Sequence, residues 1–289
     1  MKSQIITFLI KCPDQKGVLA KVTNFFYERE FNIVSCQQYV NATEDTYFMR
    51  IRLDAAEAKM SKENLEESFK KIAEPLEFKW SVSYGGKKIN VALMVSHTSH
   101  CLYDLLERHK EGSLYCNVKM VISNHNKLKY IADMFGVAFY HLPVTKETKL
   151  TQETEVINLL ETNKIDLVVM ARYMQILSSN FINTYPEKII NIHHSFLPAF
   201  QGANPYKKAY ERGVKLIGAT AHYATEDLDE GPIIQQDVEP VTHESTPLTL
   251  KRIGADIERM VLARAVKNHI QHQIIVSGNR AIVFPEAGE

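Results

Sequence analysis

The hydrophobic rhythm of this chain changes once, at Gly85-Gly86-Lys87-Lys88, and that change restricts it to two differently built parts. Before it, an apolar strand pattern at 5–11 is broken by Asp14-Gln15-Lys16-Gly17. Val18, Leu19, Val22, Phe25 and Phe26 then recur at helical spacing, which predicts a helix to about residue 29. Segments 32–40 and 46–53 are rich in Val, Ile, Tyr and Phe and flank a polar turn, so they read as paired strands. Leu65, Phe69, Ile72 and Leu76 mark a second helix, and 78–84 a last strand. The order β-α-β-β-α-β over residues 1–84 is the ferredoxin-like arrangement.

The remainder, 85–289, alternates strand and helix instead. Strands are expected at 89–95, 117–122, 137–141, 166–171, 188–192, 215–223 and 231–240. Helical patterns lie at 99–110, 126–135, 150–163, 203–212 and 247–271. Alternation of this kind predicts a mostly parallel, Rossmann-like sheet, and so an α/β chain of two domains. In such sheets ligands bind outside the carboxyl ends of the strands.

Composition narrows the class. The 34 basic and 34 acidic side chains cancel, leaving no electrostatic footprint for nucleic acid. No apolar run reaches the roughly 20 residues that span a bilayer, so no membrane partner is expected. The interrupted start of the chain does not read as a signal peptide. Cys12, Cys36, Cys101 and Cys116 make no CxxC and no zinc spacing, and they read as reduced thiols of a cytoplasmic protein.

Two islands carry chemistry. Asn191-Ile192-His193 follows the apolar run Lys188-Ile189-Ile190, and in an extended strand residues i and i+2 share a face. Alone, the pair reads first as a turn-closing amide and a packed imidazole. Asp227-Leu228-Asp229-Glu230-Gly231-Pro232 follows the strand at 215–223, and alone it reads as a solvated turn. The parallel reading puts both islands on one edge of the sheet. Asn191, His193 and Asp229 together could supply an oxyanion donor, an acid or base, and an orienter for attack on a carbonyl. His193, His194 and His222 near acids raise the question of a metal, but HExxH spacing and a Cys/His ligand set are lacking, so none is expected. His194 is expected on the face opposite His193, as a packing residue. GxSxG, GxGxxG and GxxxxGK[ST] do not occur, which disfavours a serine elbow, a dinucleotide site and a P-loop.

Asn191-Ile192-His193 with Ser195-Phe196-Leu197-Pro198, followed by Asp229-Glu230-Gly231-Pro232, resembles the formyltransferase family that uses 10-formyltetrahydrofolate. Residues 171–177 look like that family's folate-pocket strand and loop, and the likeness extends over about 88–285. The first 84 residues look like an ACT domain, a small-molecule sensor. An ACT domain ahead of this fold resembles the formyltetrahydrofolate deformylase family, which hydrolyses 10-formyltetrahydrofolate to formate and tetrahydrofolate.

The resemblance implies catalysis at Asn191, His193 and Asp229, folate binding at Met174, Gln175, Ile176 and Leu177, and no cofactor or metal. It implies a homo-oligomer, and a role supplying formate for purine synthesis and balancing one-carbon folate pools. An amino-acid effector such as glycine or methionine is expected at Asp14 and Gly17. The plain alternative is that Asp14 caps the first helix and Gly17 starts it. The rival enzyme is a formyltransferase acting on an amine such as glycinamide ribonucleotide. That relative carries a glycine-rich loop after its first strand, where backbone N–H groups approach a phosphate. Here Ser96-His97-Thr98-Ser99-His100 contains no glycine, so water becomes the expected acceptor. A non-catalytic folate- or amino-acid-binding regulator is the third reading.

Overall fold

The computed structural model describes residues 5–56, 60–199 and 205–286, so the beginning of the helix expected at 203–212 lies outside the described residues. The chain forms two compact units. One runs to Lys87 and takes in His272–Ile275 and the residues from Ile282 onward; the other is Lys88–Gln271 with Val276–Ala281. The linear segment 85–289 is thus shared between them, because the end of the chain groups with its beginning.

The first unit contains β1 (Ile5–Pro13), α1 (Val18–Tyr27), β2 (Asn32–Asn41), β3 (Thr46–Asp54), α2 (Lys62–Ala73) and β4 (Lys79–Tyr84). Its sheet is antiparallel in the order β2-β3-β1-β4. Alternate residues Ile6, Phe8, Ile10 and Cys12 of β1, and Tyr47, Met49, Ile51 and Leu53 of β3, share one core with Phe25 and Phe26 of α1 and Leu65 and Phe69 of α2. That is the two-residue strand period burying one face under two amphipathic helices. On β3 Arg50 is also buried, and its Nε donates to the carbonyl of His272 at 2.9 Å, while Gln37 Nε2 on β2 donates to the Pro285 carbonyl at 2.8 Å. These bonds explain why the chain's end belongs to this unit.

Gly17 is the N-cap of α1, with φ 88 and no side-chain cap bond. A residue with a Cβ is strained there, so glycine is required by the turn itself. The alternative in which Asp14 caps α1 does not hold. The Asp14 backbone N–H donates to Asp45 O at 2.9 Å, and its side chain is exposed. Ser61 does cap α2, accepting from Asn64 N at 3.3 Å.

Phe69 touches Phe8, Phe26 and Trp80 at ring separations of 4.7, 5.8 and 4.9 Å. Trp80 is the chain's one tryptophan, so its fluorescence reports on this core. Phe69→Ala should destabilise the first unit by about 3–5 kcal/mol. Urea unfolding followed at Trp80 should show the midpoint falling accordingly.

The second unit contains β5 (Asn90–Val95), α3 (His100–Lys110), β6 (Asn117–Ser123), α4 (Lys129–Phe135), β7 (Ala138–His141), α5 (Lys149–Thr162) and β8 (Leu167–Met170). It continues through α6 (Ser179–Thr184), β9 (Ile189–His193), α7 (Pro205–Arg212), β10 (Leu216–Tyr223), β11 (Ile233–Pro240) and α8 (Pro247–Ile270). A terminal hairpin, β12 (Ile274–Ser277) and β13 (Arg280–Val283), of which only Val276–Ala281 belongs to this unit, ends a sheet ordered β12-β13-β11-β10-β9-β8-β5-β6-β7. Strands β5 to β9 are parallel, as their continuous apolar runs predict. Short α6 and the hairpin were not expected: six residues are too few to display a helical period, and the hairpin strands are only four residues each.

One expectation fails. Strand β10 runs antiparallel to β9, pairing Thr220 with His193 and His222 with Asn191. Its carboxyl end therefore lies beside Ile190, at the amino end of β9, and not on the edge where His193 emerges. The Asp229 loop must fold back to reach the site.

Candidate active site

The folding back is visible in the loop itself. Ala224 N donates to Ile189 O at 2.9 Å, and Tyr223 N donates to Pro232 O at 3.0 Å, so residues 224–232 leave and return at one place. Gly231 lies so close to Tyr223 that an added Cβ would sit 1.8 Å from the Tyr223 carbonyl oxygen. Asp229 takes a left-handed conformation, φ 60, which turns its side chain inward.

The result is a carboxylate seated on two imidazoles. Asp229 Oδ2 is 3.2 Å from His193 Nδ1, and Oδ1 is 3.7 Å from His222 Nε2. A carboxylate only accepts, so in neutral His193 the proton sits on Nδ1 and the lone pair on Nε2. Nε2 of His193 is buried and has no hydrogen-bond partner. His222 Nδ1 donates to the Tyr223 carbonyl at 2.9 Å, which leaves its Nε2 to accept from Asn191 Nδ2 at 3.2 Å. That contact fixes the Asn191 amide with its nitrogen toward His222.

Electrostatics follow from these partners. Burial alone would raise the Asp229 carboxyl, but the hydrogen bond from His193 and the imidazole of His222 beside it outweigh burial and hold it well below the usual carboxylate range. His194 moves the other way. Burial, reinforced by the Arg172 charge, lowers it to about 3, so its ring is neutral at ordinary pH.

Asn191, His193 and Asp229 line one cavity of about 230 Å³ together with Met174, Gln175, Ile176 and Leu177. All seven residues singled out for this site therefore meet. Met174 and Ile176 are exposed at its mouth, whereas Leu177 is buried in the core beneath. The loop carrying them is anchored at both ends: Met174 N donates to Ser96 Oγ at 3.0 Å, and Ser178 N to Glu153 Oε1 at 3.0 Å.

Arg172, His194 and His222 also line the cavity. Beta-strand alternation had turned His194 away, but β9 ends at His193, and beyond a strand's end its two-residue period no longer applies. His222 gains its role from the antiparallel register, which no local pattern reveals. Asp14 and Gly17 stand in the first unit, at the β1–α1 turn.

The Asp229 shift has a testable sign. A carboxyl held low in the folded chain adds stability that is fully present above its unfolded value, roughly 3.9, and lost as pH falls through the folded value. Asp229→Asn should therefore weaken the acid dependence of the second unit. Urea midpoints measured at neutral pH and near pH 3 should converge in the variant relative to the parent.

Comparison with known proteins supplies the kinship. A family model described as "Formyl transferase" matches residues 89–266, and an ACT domain model matches residues 6–60. A formyltetrahydrofolate deformylase of Synechocystis sp. is 48% identical over 284 residues, covering 98% of this chain and 100% of the relative. The crystal structure of a formyltetrahydrofolate deformylase from Pseudomonas syringae pv. tomato superposes with a TM-score of 0.96 at 40% identity, covering 99% of this chain and 96% of that one. A glycinamide ribonucleotide transformylase from Symbiobacterium toebii is more distant, with a TM-score of 0.66 at 28% identity over 70% of this chain and 97% of its own. No helix among the described residues is long and apolar enough to cross a membrane. With an ACT domain ahead of a formyl-transferase domain and close likeness over nearly its whole length, the chain belongs to the formyltetrahydrofolate deformylase family.

Proposed function

We propose that Asn191, His193 and Asp229 hydrolyse the formyl group of 10-formyltetrahydrofolate, with water as acceptor. The observation that carries the assignment is the bond from His193 Nδ1 to Asp229, which leaves His193 Nε2 buried, unpartnered and on the cavity wall. The folate ring lies against Met174, Gln175, Ile176 and Leu177, which brings its formyl carbon to Asn191 and His193.

Neutral His193 takes a proton from water through Nε2 as the water oxygen attacks the formyl carbon. Asp229, kept as a carboxylate, holds the imidazole in the required tautomer and stabilises the imidazolium that forms. Asn191 donates its remaining amide N–H to the oxyanion of the tetrahedral intermediate. The bond from carbon to N10 then breaks, and the imidazolium proton passes to N10. Formate and tetrahydrofolate leave, and the acid proton of the product is released to solvent. The route needs no metal, because the charge on the intermediate is met by Asn191 and His193.

His193→Ala should lower the rate of formate release by about 10²–10⁴. Asn191→Ala should cost about 10²–10³ in kcat. Asp229→Asn should fall with His193→Ala, since both remove one dyad. The assay is formate release from 10-formyltetrahydrofolate with no amine present. Near-full activity in any of these folded variants would sink the assignment, and loss to a chelator with recovery on adding zinc would sink the metal-free route.

The ACT domain is proposed to bind an amino acid, with glycine and methionine as the compounds to test and the turn at Asp14 and Gly17 as the place. Gly17's left-handed N-cap leaves the first N–H groups of α1 without a side-chain acceptor, which supports that location. The active form is proposed to be a homo-oligomer in the cytoplasm, a compartment suited to four unpaired cysteines. Calorimetric titration of the full chain with each amino acid tests the effector, and no heat from either would leave the domain a part in assembly.

A further inference from the structure

Parallel strands reverse their order between β5 and β8, where β5 continues to β6 on one side and receives β8 on the other. A sheet of this type offers its ligand crevice at that reversal. The cavity described above stops short of it: no residue of the 96–100 loop and none of α8 lines it. The crevice is occupied instead by a buried ionic cluster.

Its centre is Glu258, an acid in the buried stripe of α8 and only 1% exposed. His100 Nε2 is 2.7 Å from one carboxylate oxygen, and Tyr206 donates its hydroxyl to the other at 2.5 Å. Arg172 Nε stands 3.5 Å from Glu258, and its Nε and Nη1 have no hydrogen-bond partners. Cys101 is close by, but burial keeps it a thiol, and both carboxylate oxygens are already engaged. The donor set therefore makes a hydrogen-bonded cluster and not a cation site.

Tyr206 is held in place by shape as well as by charge. A Cβ built on Gly254, one helical turn before Glu258, would lie 2.0 Å from the Tyr206 hydroxyl and 2.2 Å from its ring. Gly254 thus opens the slot in α8 that the phenol occupies. On its other side Tyr206 faces His194, ring centres 6.1 Å apart, and His194 is on the cavity wall.

We propose that Tyr206, locked on Glu258 and seated over Gly254, fills the crevice beside the formyl site and thereby denies the formyl carbon an acceptor larger than water. The proposal rests on the hydrolytic reading and adds the residue that enforces it. Opening the crevice lets an amine nitrogen attack the formyl carbon. A new carbon–nitrogen bond forms, the bond to N10 breaks, and the amine's proton ends on N10.

The experiment supplies the full-length protein with 10-formyltetrahydrofolate and glycinamide and measures formate and N-formylglycinamide together by mass spectrometry. Tyr206→Ala removes the plug, and Gly254→Ala displaces it without altering Tyr206. Each should raise the ratio of formylated amine to formate at least about tenfold, the scale on which a pocket contact discriminates. Tyr206→Phe keeps the ring but loses the bond to Glu258, and its ratio should lie between those of the parent and Tyr206→Ala. Circular dichroism checks folding, and Gly254→Ala carries the test where Tyr206→Ala fails to fold. A folded, formate-releasing Tyr206→Ala or Gly254→Ala variant with the parent ratio overturns the proposal, as does a parent enzyme that formylates glycinamide equally well. Absence of formate release by the parent without amine is a separate result, and it rejects the hydrolytic reading itself.

Discussion

The site depends on the antiparallel pairing of β10 with β9. Had β10 continued the parallel order, its carboxyl end would have emerged beside His193, and an ordinary exposed loop would have carried Asp229. Antiparallel pairing instead sets His222 opposite Asn191 and forces residues 224–232 to double back against Tyr223. Gly231 is needed for that close return, and Asp229 enters the cavity through a left-handed turn. The carboxylate is consequently buried against two imidazoles, and the His193 tautomer follows from it. A buried carboxylate without those partners would be expensive; with them it stays charged.

Much of this was legible in the residues. The β-α-β-β-α-β order of the first unit could be read because each strand alternates and each helix shows a clean apolar stripe. Asn191 and His193 could be placed on one face because strand period alone does that. Met174 to Leu177 were named through the resemblance and do line the cavity. What could not be read was nonlocal. Strand direction is set by how a connection packs, so the sequence of β10 looks the same whether it runs parallel or antiparallel. His222 was invisible as an Asn191 partner for that reason. Arg50 pairing with His272 is likewise a bond across most of the chain, and no window of sequence contains both. One buried partner does leave a local signal: Glu258 is a lone acid within the apolar face of α8, beside Ile257, Val261 and Leu262. An acid in such a stripe calls for buried cationic or hydroxyl partners.

The Glu258 cluster also explains why the glycine-free loop after β5 matters. By sequence, Ser96 to His100 stands where a phosphate loop would need glycines and has none. The structure gives those residues definite employment. Ser96 Oγ accepts from Met174 N and donates to Asn124 Oδ1 at 2.7 Å, tying the cavity loop at 174–177 to the residue that follows β6. His100 is committed to Glu258. A loop whose side chains support the pocket from behind has little freedom left to cradle an anion in front.

Hydrolysis and formyl transfer share their difficult part. Both need an oxyanion donor, a base for the incoming nucleophile and a proton for N10, and Asn191, His193 and Asp229 can serve either. The choice between them lies in which nucleophile reaches the carbon. Water is present at high concentration and enters any opening, so an enzyme that must use an amine has to hold that amine in place. An enzyme that must use water has the opposite requirement and needs the amine's place filled. A half-buried tyrosine on a buried carboxylate fills space rigidly, because its hydroxyl is satisfied only in one position. An aliphatic residue of similar volume would fill the same space with no such constraint. The ionic cluster therefore makes physical sense as a fixed plug, and its cost in desolvation is offset by the bonds from His100 and Tyr206 and by the charge of Arg172.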